Sequence, residues 1–259
     1  MGKQVLKVVK IGGKLIEDEN KLREFLKDFS ALETPKILIH GGGSMATKTA
    51  EKLGYETKMV DGRRITDANS IKVITMVYGG LINKNIVAKL QARGTNAIGL
   101  CGADGASIIS KKREVKEVDF GFVGDIVEVN SSFISSLLEQ NIIPVFSAIS
   151  YSGDGQLYNT NGDSVAAEVA KAMSAIYDTE LDFCFEKKGV LTDVENDESI
   201  IEEIDEQLYK QLMNRGIISE GMLPKLHNCF QALQHGVTKI RLGDSNLLKK
   251  NLIHTKIVK

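Results

Sequence analysis

Several absences narrow the class of this sequence before any motif is read. It has no Cys-x-x-Cys pair, and its three cysteines, Cys101, Cys184 and Cys229, are odd in number and far apart. A zinc or dithiol redox site is therefore not expected, and the thiols read as reduced and mostly buried in a cytoplasmic protein. No apolar run approaches the roughly 20 residues needed to span a bilayer. The opening Met-Gly-Lys-Gln runs straight into a strand-like stretch, without the apolar core and small-residue cleavage site of a signal peptide. Leu6 stands where a myristoylation motif wants Ser or Thr. Net charge is only −1, so no strong field gathers nucleic acid or an anionic membrane. No Gly-x-x-x-x-Gly-Lys-[Ser/Thr] occurs, so this is not a P-loop protein of the usual kind.

What is present is a chain able to build a core. Its 259 residues are 42% hydrophobic and 26% charged, enough for one large domain or two lobes. Strand-like runs at 5–10, 36–40, 96–100, 142–147, 181–185, 239–242 and 254–259 alternate with helix-like runs. The helices are expected at 20–32, 44–53, 131–140, 161–174, 205–214 and 222–235, with one long helix from the N-cap Asp67 to about Arg93. Residues 106–129 read as short strands turning at Lys111-Lys112 and Gly121. This alternation implies βαβ units and a mostly parallel sheet with helices on both faces. Such sheets bind ligands beyond the carboxyl ends of their strands. There is no internal repeat or low-complexity linker, and the region after Ser174 is expected to form a second lobe on a continuous sheet.

Two glycine turns lie at such strand ends, Gly12-Gly13 after Lys10 and Gly41-Gly42-Gly43 after His40. Glycine lets an anion approach backbone N–H groups, and the following helix N-terminus adds positive partial charge. Two such turns, one beside a lysine, point to a phosphate site. A rival exists. Gly41-x-Gly43-x-x-Ala46 matches a dinucleotide fingerprint, with Asp61 about 20 residues on. That reading leaves Lys10 and the first glycine turn without a role.

The ordered set Lys10-Ile-Gly-Gly, His40-Gly-Gly-Gly, Gly62-Arg-Arg64-Ile-Thr66, Gly99-Leu-Cys-Gly-Ala-Asp104-Gly, Asn159-Thr-Asn161-Gly-Asp163 and Gly221-Met-Leu-Pro-Lys225 resembles the amino acid kinase family. Within that family it is most similar to the enzymes that phosphorylate N-acetylglutamate in arginine synthesis. The resemblance covers nearly the whole chain. It implies an α/β fold, a three-layer α/β/α sandwich with a mostly parallel central sheet. An N-terminal lobe, 1–175, would bind the acylated amino acid and carry the dimer contact, and a C-terminal lobe, 176–259, would bind ATP. The implied reaction moves the γ-phosphoryl group of ATP onto a side-chain carboxylate, with magnesium as the companion ion.

The same resemblance assigns roles. Lys10 would contact the transferring phosphoryl oxygens, Lys225 would neutralise the leaving oxygen of ADP, and Asp163 would hold both ammonium groups. Gly12 and Gly13 would offer backbone N–H groups to phosphate. Arg64 would grip the α-carboxylate through paired hydrogen bonds, which lysine cannot copy. Asn159, Asn161, Gly42 and Gly43 would fix the rest of the substrate. Glu186, Gly189, Val190, Leu191, Ile217, Ile218 and Ser219 would border ATP. Magnesium often relies on phosphate oxygens and waters, so no protein ligand to it is expected. A carboxylate acceptor is already ionised at neutral pH and needs no general base.

The stretch Glu186-Lys187-Lys188 departs from the family, where an aspartate is usual at position 186. The acyl group is N-acetyl by family default, and a larger one such as N-succinyl also fits. Met76, Val77 and Tyr78 are candidates to shape its pocket. Because the chain begins almost at its first strand, a homodimer insensitive to arginine is expected. Carbamate, aspartate, glutamate or nucleoside-monophosphate kinases of the same fold, or a non-catalytic ligand sensor, are the alternatives. His40 reads as structural, and Lys14 and Arg63 as surface residues.

Overall fold

The computed structural model describes residues 2–218, 222–249 and 252–259. The chain packs into two units, one of Met1–Ile37 with Ala166–Lys259, the other of Leu38–Val165. These units follow contacts, whereas the lobes expected at 1–175 and 176–259 are defined by the ligand each would bind.

In the first unit, Leu6, Val8, Val9 and Ile11 of the strand Val5–Ile11 are fully buried. A near-continuous apolar run of this kind suits a parallel strand covered on both faces. Val5–Ile11 pairs in parallel with Asp178–Cys184, which pairs in parallel with Lys239–Gly243. Thr255–Ile257 then runs antiparallel and carries Glu203–Ile204 beside it. The strand expected to start at Leu181 starts at Asp178 instead. The polar residues Asp178, Thr179 and Glu180 conceal its start, and Asp182 further along is fully buried. Its carboxylate accepts two bonds from Arg241, at 2.7 and 2.6 Å. Helix Glu19–Ser30 begins where Asp18 accepts the N–H groups of Asn20 and Lys21. Leu22, Phe25, Leu26 and Phe29 recur on one face and are buried, each stabilising the fold by about 1.5–3 kcal/mol.

In the second unit, Lys36–His40 pairs in parallel through Leu38–His40 with Ile143–Ser147, which pairs in parallel with Ala97–Leu100. A smaller sheet orders Leu157–Asn159, Ile149–Tyr151, Ile108–Lys112 and Gly124–Val129. Lys111 and Lys112 thus end a strand rather than make a turn. A hairpin of Lys58–Val60 and Arg63–Ile65 turns at Asp61 and Gly62, both at positive φ, 48° and 70°. An Asp-Gly pair between short strands is a strong hairpin signal. Asp61 is therefore a turn residue, and the dinucleotide fingerprint loses the acidic partner it needs.

Asp67 caps its helix as expected, accepting from the N–H groups of Asn69 and Ser70. The long helix to Arg93 is not uniform. Ala68–Ile74 and Asn83–Gln91 are α-helical, and Thr75–Ile82 between them is π-helical. The N–H of Asn83 reaches back five residues to the carbonyl of Tyr78. Gly79-Gly80 lies inside this wider stretch. No helix among the described residues is long and apolar enough to cross a membrane. Among the described residues the cysteines form no disulfide, and Cys184 and Cys229 are buried.

His40 is fully buried and structural. Its Nδ1 faces the Gly41 carbonyl at 2.9 Å, and its Nε2 faces the Asn83 amide at 3.1 Å. These partners select the neutral ring with its proton on Nδ1. Burial pushes its pKa down to about 4 from the usual 6.5, against a smaller raising effect of the Gly41 bond. Because the folded value lies below the unfolded one, the stability from the neutral ring is complete above the unfolded pKa. It falls as pH drops from there towards 4, by about 3 kcal/mol in all. Urea midpoints measured from pH 7 to 4.5 are expected to fall more steeply for the wild type than for His40→Gln. Equal slopes would contradict this.

Candidate active site

Within the second unit, the chain leaves His40 through Gly41 and enters helix Gly43–Lys52 at Gly42, whose φ is 155°. Side chains rarely adopt that conformation. A Cβ there would also stand 2.2 Å from Ile82 Cδ1 and 3.2 Å from the Tyr78 ring. Gly43 is under no such constraint, since its Cβ would meet only Tyr78 Oη at 3.8 Å. The first N–H groups of a helix have no partner within it, so this turn presents donors.

Arg64 lies on the second strand of the Asp61-Gly62 hairpin. Its NH1 donates to Thr57 Oγ1 at 3.1 Å, and its NH2 donates to the Gly43 carbonyl at 2.9 Å and Thr47 Oγ1 at 2.7 Å. Three of its five N–H donors therefore fix the guanidinium to Thr57 and to the first turns of the helix that the glycine turn opens. Nε–H and one hydrogen on NH1 are left for a ligand. The paired grip expected from the sequence requires the NH2 bonds to be exchanged when a carboxylate arrives. Arg63 beside it is exposed, as expected.

Asn159 is half-buried and donates from Nδ2 to Thr66 Oγ1 at 3.0 Å, which leaves its Oδ1 to accept from a ligand. Asn161 caps the next helix, because its Oδ1 accepts from the N–H groups of Asp163 and Ser164 at 2.8 and 3.1 Å. Only its amide NH2 is left for a substrate. Asp163 is half-buried in the first turn of Gly162–Met173, where the helix dipole favours a negative charge. The Gly99–Gly105 motif is scaffolding. A Cβ on Gly102 would meet the Ile108 carbonyl at 2.5 Å, and one on Gly105 would meet the Phe133 ring at 2.4 Å.

Within the first unit, Lys10 stands opposite Phe183 across the parallel pair, half-buried near the end of its strand. Paired residues of parallel strands point to the same face. Lys225 comes to that face from helix Met222–Gln234. Only 8% exposed, its Nζ lies 5.0 Å from the Phe183 ring centroid and 5.8 Å from that of Phe185. A desolvated cation–π contact is worth about 2 kcal/mol. Taken alone, a lysine on this helix would read as a solvated one. Instead it sits on the buried face, a turn from the buried Cys229. Phe183 and Phe185 thus line the candidate position of Lys225, which sequence reasoning missed, and their only signal was an aromatic pair at a strand end.

The first glycine turn differs from expectation in one respect. The Gly12 N–H donates to the Cys184 carbonyl at 3.0 Å, so it is committed to the fold. Gly12 caps the short helix Gly13–Glu17 and brings no side chain to the space above it. Lys14 is an exposed lysine, 3.6 Å from Glu186.

The unusual lysines have local partners. Lys187 pairs with Asp197 at 2.8 Å and Lys188 with Glu198 at 2.7 Å, so both clip the acidic loop that follows. Those hydrogen bonds raise both lysine pKa values. Gly189 is required by close approach, since a Cβ would stand 2.6 Å from Thr255 Oγ1 and 2.9 Å from Ile200 Cγ2. Val190 donates its N–H to Thr255 Oγ1 at 2.8 Å, and Val190 and Leu191 are buried. Ile218 is buried and Ile217 half-buried after a turn at Gly216, whose φ is 65°. Ser219 and Gly221 lie outside the described residues.

Comparison with known proteins agrees with these features. The model of the amino acid kinase family matches residues 6–244. An acetylglutamate kinase of Bacteroides fragilis is 53% identical over 238 residues, 92% of this chain and 91% of that protein. One from Cytophaga hutchinsonii is 46% identical over 98% of this chain and 97% of that protein. The crystal structure of smu.665 from Streptococcus mutans superposes with a TM-score of 0.81 at 25% identity, covering 98% of each chain. The match runs across nearly the whole sequence of a chain with a mostly parallel α/β architecture, a lysine beside one glycine turn and an arginine seated on another. The chain belongs to the amino acid kinase family.

Proposed function

We propose that this chain transfers the γ-phosphoryl group of ATP to the side-chain carboxylate of N-acetyl-L-glutamate, giving the acyl phosphate of arginine biosynthesis. The observation that carries this reading is the 53% identity to an acetylglutamate kinase over nearly the whole of both chains. The seat of Arg64 on Gly43 supports it, because it fixes a cation beside a helix N-terminus, where a carboxylate is doubly favoured.

Phosphoryl transfer leaves a protein little covalent work, so positioning and charge stabilisation dominate. Lys10 stabilises the charge on the moving phosphoryl oxygens. Lys225, held against Phe183 and Phe185, neutralises the leaving oxygen of ADP. Asp163 balances the two ammonium charges. Gly13 and Gly43 donate backbone N–H groups to the phosphoryl group, while Gly12 and Gly42 keep side chains out of the way. Arg64 binds the α-carboxylate, Asn159 accepts from the rest of the acylated amino acid through its Oδ1, and the Asn161 amide contributes from its cap position. ATP lies against Glu186, Gly189, Ile217, Ile218 and Ser219. Val190 and Leu191 offer backbone there, since their side chains belong to the core.

Magnesium would accompany ATP and supply positive charge to its phosphate oxygens, and no residue of this chain is assigned to hold it. Residues 1–175 serve the acylated amino acid and 176–259 the nucleotide. The working form is a homodimer. Ala97–Leu100 is the outermost of its strands, and Ile98 on it is exposed, as are Met76 and Leu81. Sedimentation showing only monomer would remove that part.

Trapping the acyl phosphate with hydroxylamine tests the reaction. With magnesium and ATP, N-acetylglutamate is expected to outrun glutamate and aspartate by at least about tenfold, because those acceptors lack the acyl group. N-succinylglutamate is the informative fourth acceptor, since a higher kcat/KM for it would reassign the acyl group. No product from either acylated acceptor would overturn the reading.

A further inference from the structure

Tyr78 has a hydroxyl that the fold does not use. The residue is 6% exposed, on the π-helical stretch between Ile74 and Asn83. Its ring lies 3.2 Å from where a Gly42 Cβ would stand, and its Oη 3.8 Å from where a Gly43 Cβ would stand. Gly43 is also the residue whose carbonyl holds Arg64. Ring, glycine turn and guanidinium therefore converge. Burial raises the phenol pKa and the nearby positive charge of Arg64 partly offsets that, so the group is a protonated donor at neutral pH. The hydroxyl has no hydrogen-bond partner among the described residues, and its oxygen is not sealed from solvent. Phenylalanine would fill the same space against Gly42, so packing alone does not call for the hydroxyl. Long π-helical stretches are rare and often lie at functional sites. Here the stretch carries Tyr78 to the glycine turn.

We propose that Tyr78 is a further substrate-recognition residue, whose hydroxyl donates a hydrogen bond to a carboxylate oxygen of the acylated glutamate beside Arg64. This rests on the acylglutamate reading given above. A neutral donor next to a cation adds a charge-assisted bond and orients the carboxylate without adding charge. It also supplements the two Arg64 donors that the scaffold leaves uncommitted.

The test is Tyr78→Phe, which removes one oxygen and keeps the ring. Its KM for N-acetylglutamate is expected to rise roughly 10- to 100-fold, the range for a bond to a charged group. Its kcat and its KM for magnesium–ATP are expected to stay within about twofold of the wild type, and its urea midpoint to equal or exceed the wild-type value. A KM for N-acetylglutamate within about twofold of wild type would overturn the proposal, as would equal rises in both KM values. Wild-type turnover of N-acetylglutamate is measured first and reports on the reaction itself. The ratio of the two KM values reports on the hydroxyl.

Discussion

Lys10→Ala is expected to lower kcat by roughly 10²- to 10³-fold, the usual cost of removing one preorganised donor from a developing charge. The reason lies in the acceptor. A carboxylate attacking a triphosphate brings two anions together, and neither needs a base. The barrier is the charge that collects between them. Lys10 stands near the end of a strand whose other residues are mostly fully buried, so its backbone is fixed by the core. Its partner across the sheet is Phe183, itself fully buried and in contact with the Lys225 ammonium. A strand held this way keeps the root of the Lys10 side chain in place when charge develops. KM for either substrate should change much less than kcat, because the interaction strengthens chiefly in the transition state.

Arg64→Lys is the second large effect. It keeps the charge but is expected to lower kcat/KM for N-acetylglutamate roughly 10²-fold, within the range for disrupting a hydrogen-bonded charge pair. Arginine can hold Thr57, Thr47 and the Gly43 carbonyl and still present two donors. Lysine has three donors on one atom and cannot both seat itself and bind in a plane. KM for ATP should stay within about threefold, since every bond of Arg64 stays within the acceptor half. Initial rates at varied N-acetylglutamate decide this. A kcat/KM within threefold of the wild type would remove Arg64 from the substrate site.

Much of this architecture was legible in the sequence, for identifiable reasons. Lys36–His40 reads as a strand because every residue is buried and β-branched or long side chains dominate. Asp18 and Asp67 announce helices because a short carboxylate before an amphipathic run can take the first N–H groups. Asp61-Gly62 was equally legible as a hairpin turn. The same glycine also opens Gly62-Arg-Arg64, so the turn and the family motif overlap in the sequence.

Other features could not be read along the chain. Lys187 and Lys188 looked anomalous because their partners, Asp197 and Glu198, lie in a loop ten residues away. The burial of Lys225 depends on two aromatic rings from a distant strand. The commitment of the Gly12 N–H to Cys184 exists only because two strands separated by most of the sequence lie side by side. Asn161 is an intermediate case. Its place before a helix is a cap signal, but the motif resemblance pointed to substrate and hid the simpler role.

The most direct test of the charge-stabilised transfer is the hydroxylamine-trapped rate of wild type and Lys10→Ala, side by side. Both are measured at saturating magnesium–ATP and N-acetylglutamate. The account predicts acyl phosphate from the wild type and a kcat roughly 10²- to 10³-fold lower for the variant, with its fold intact. A variant that turns over at the wild-type rate would contradict it.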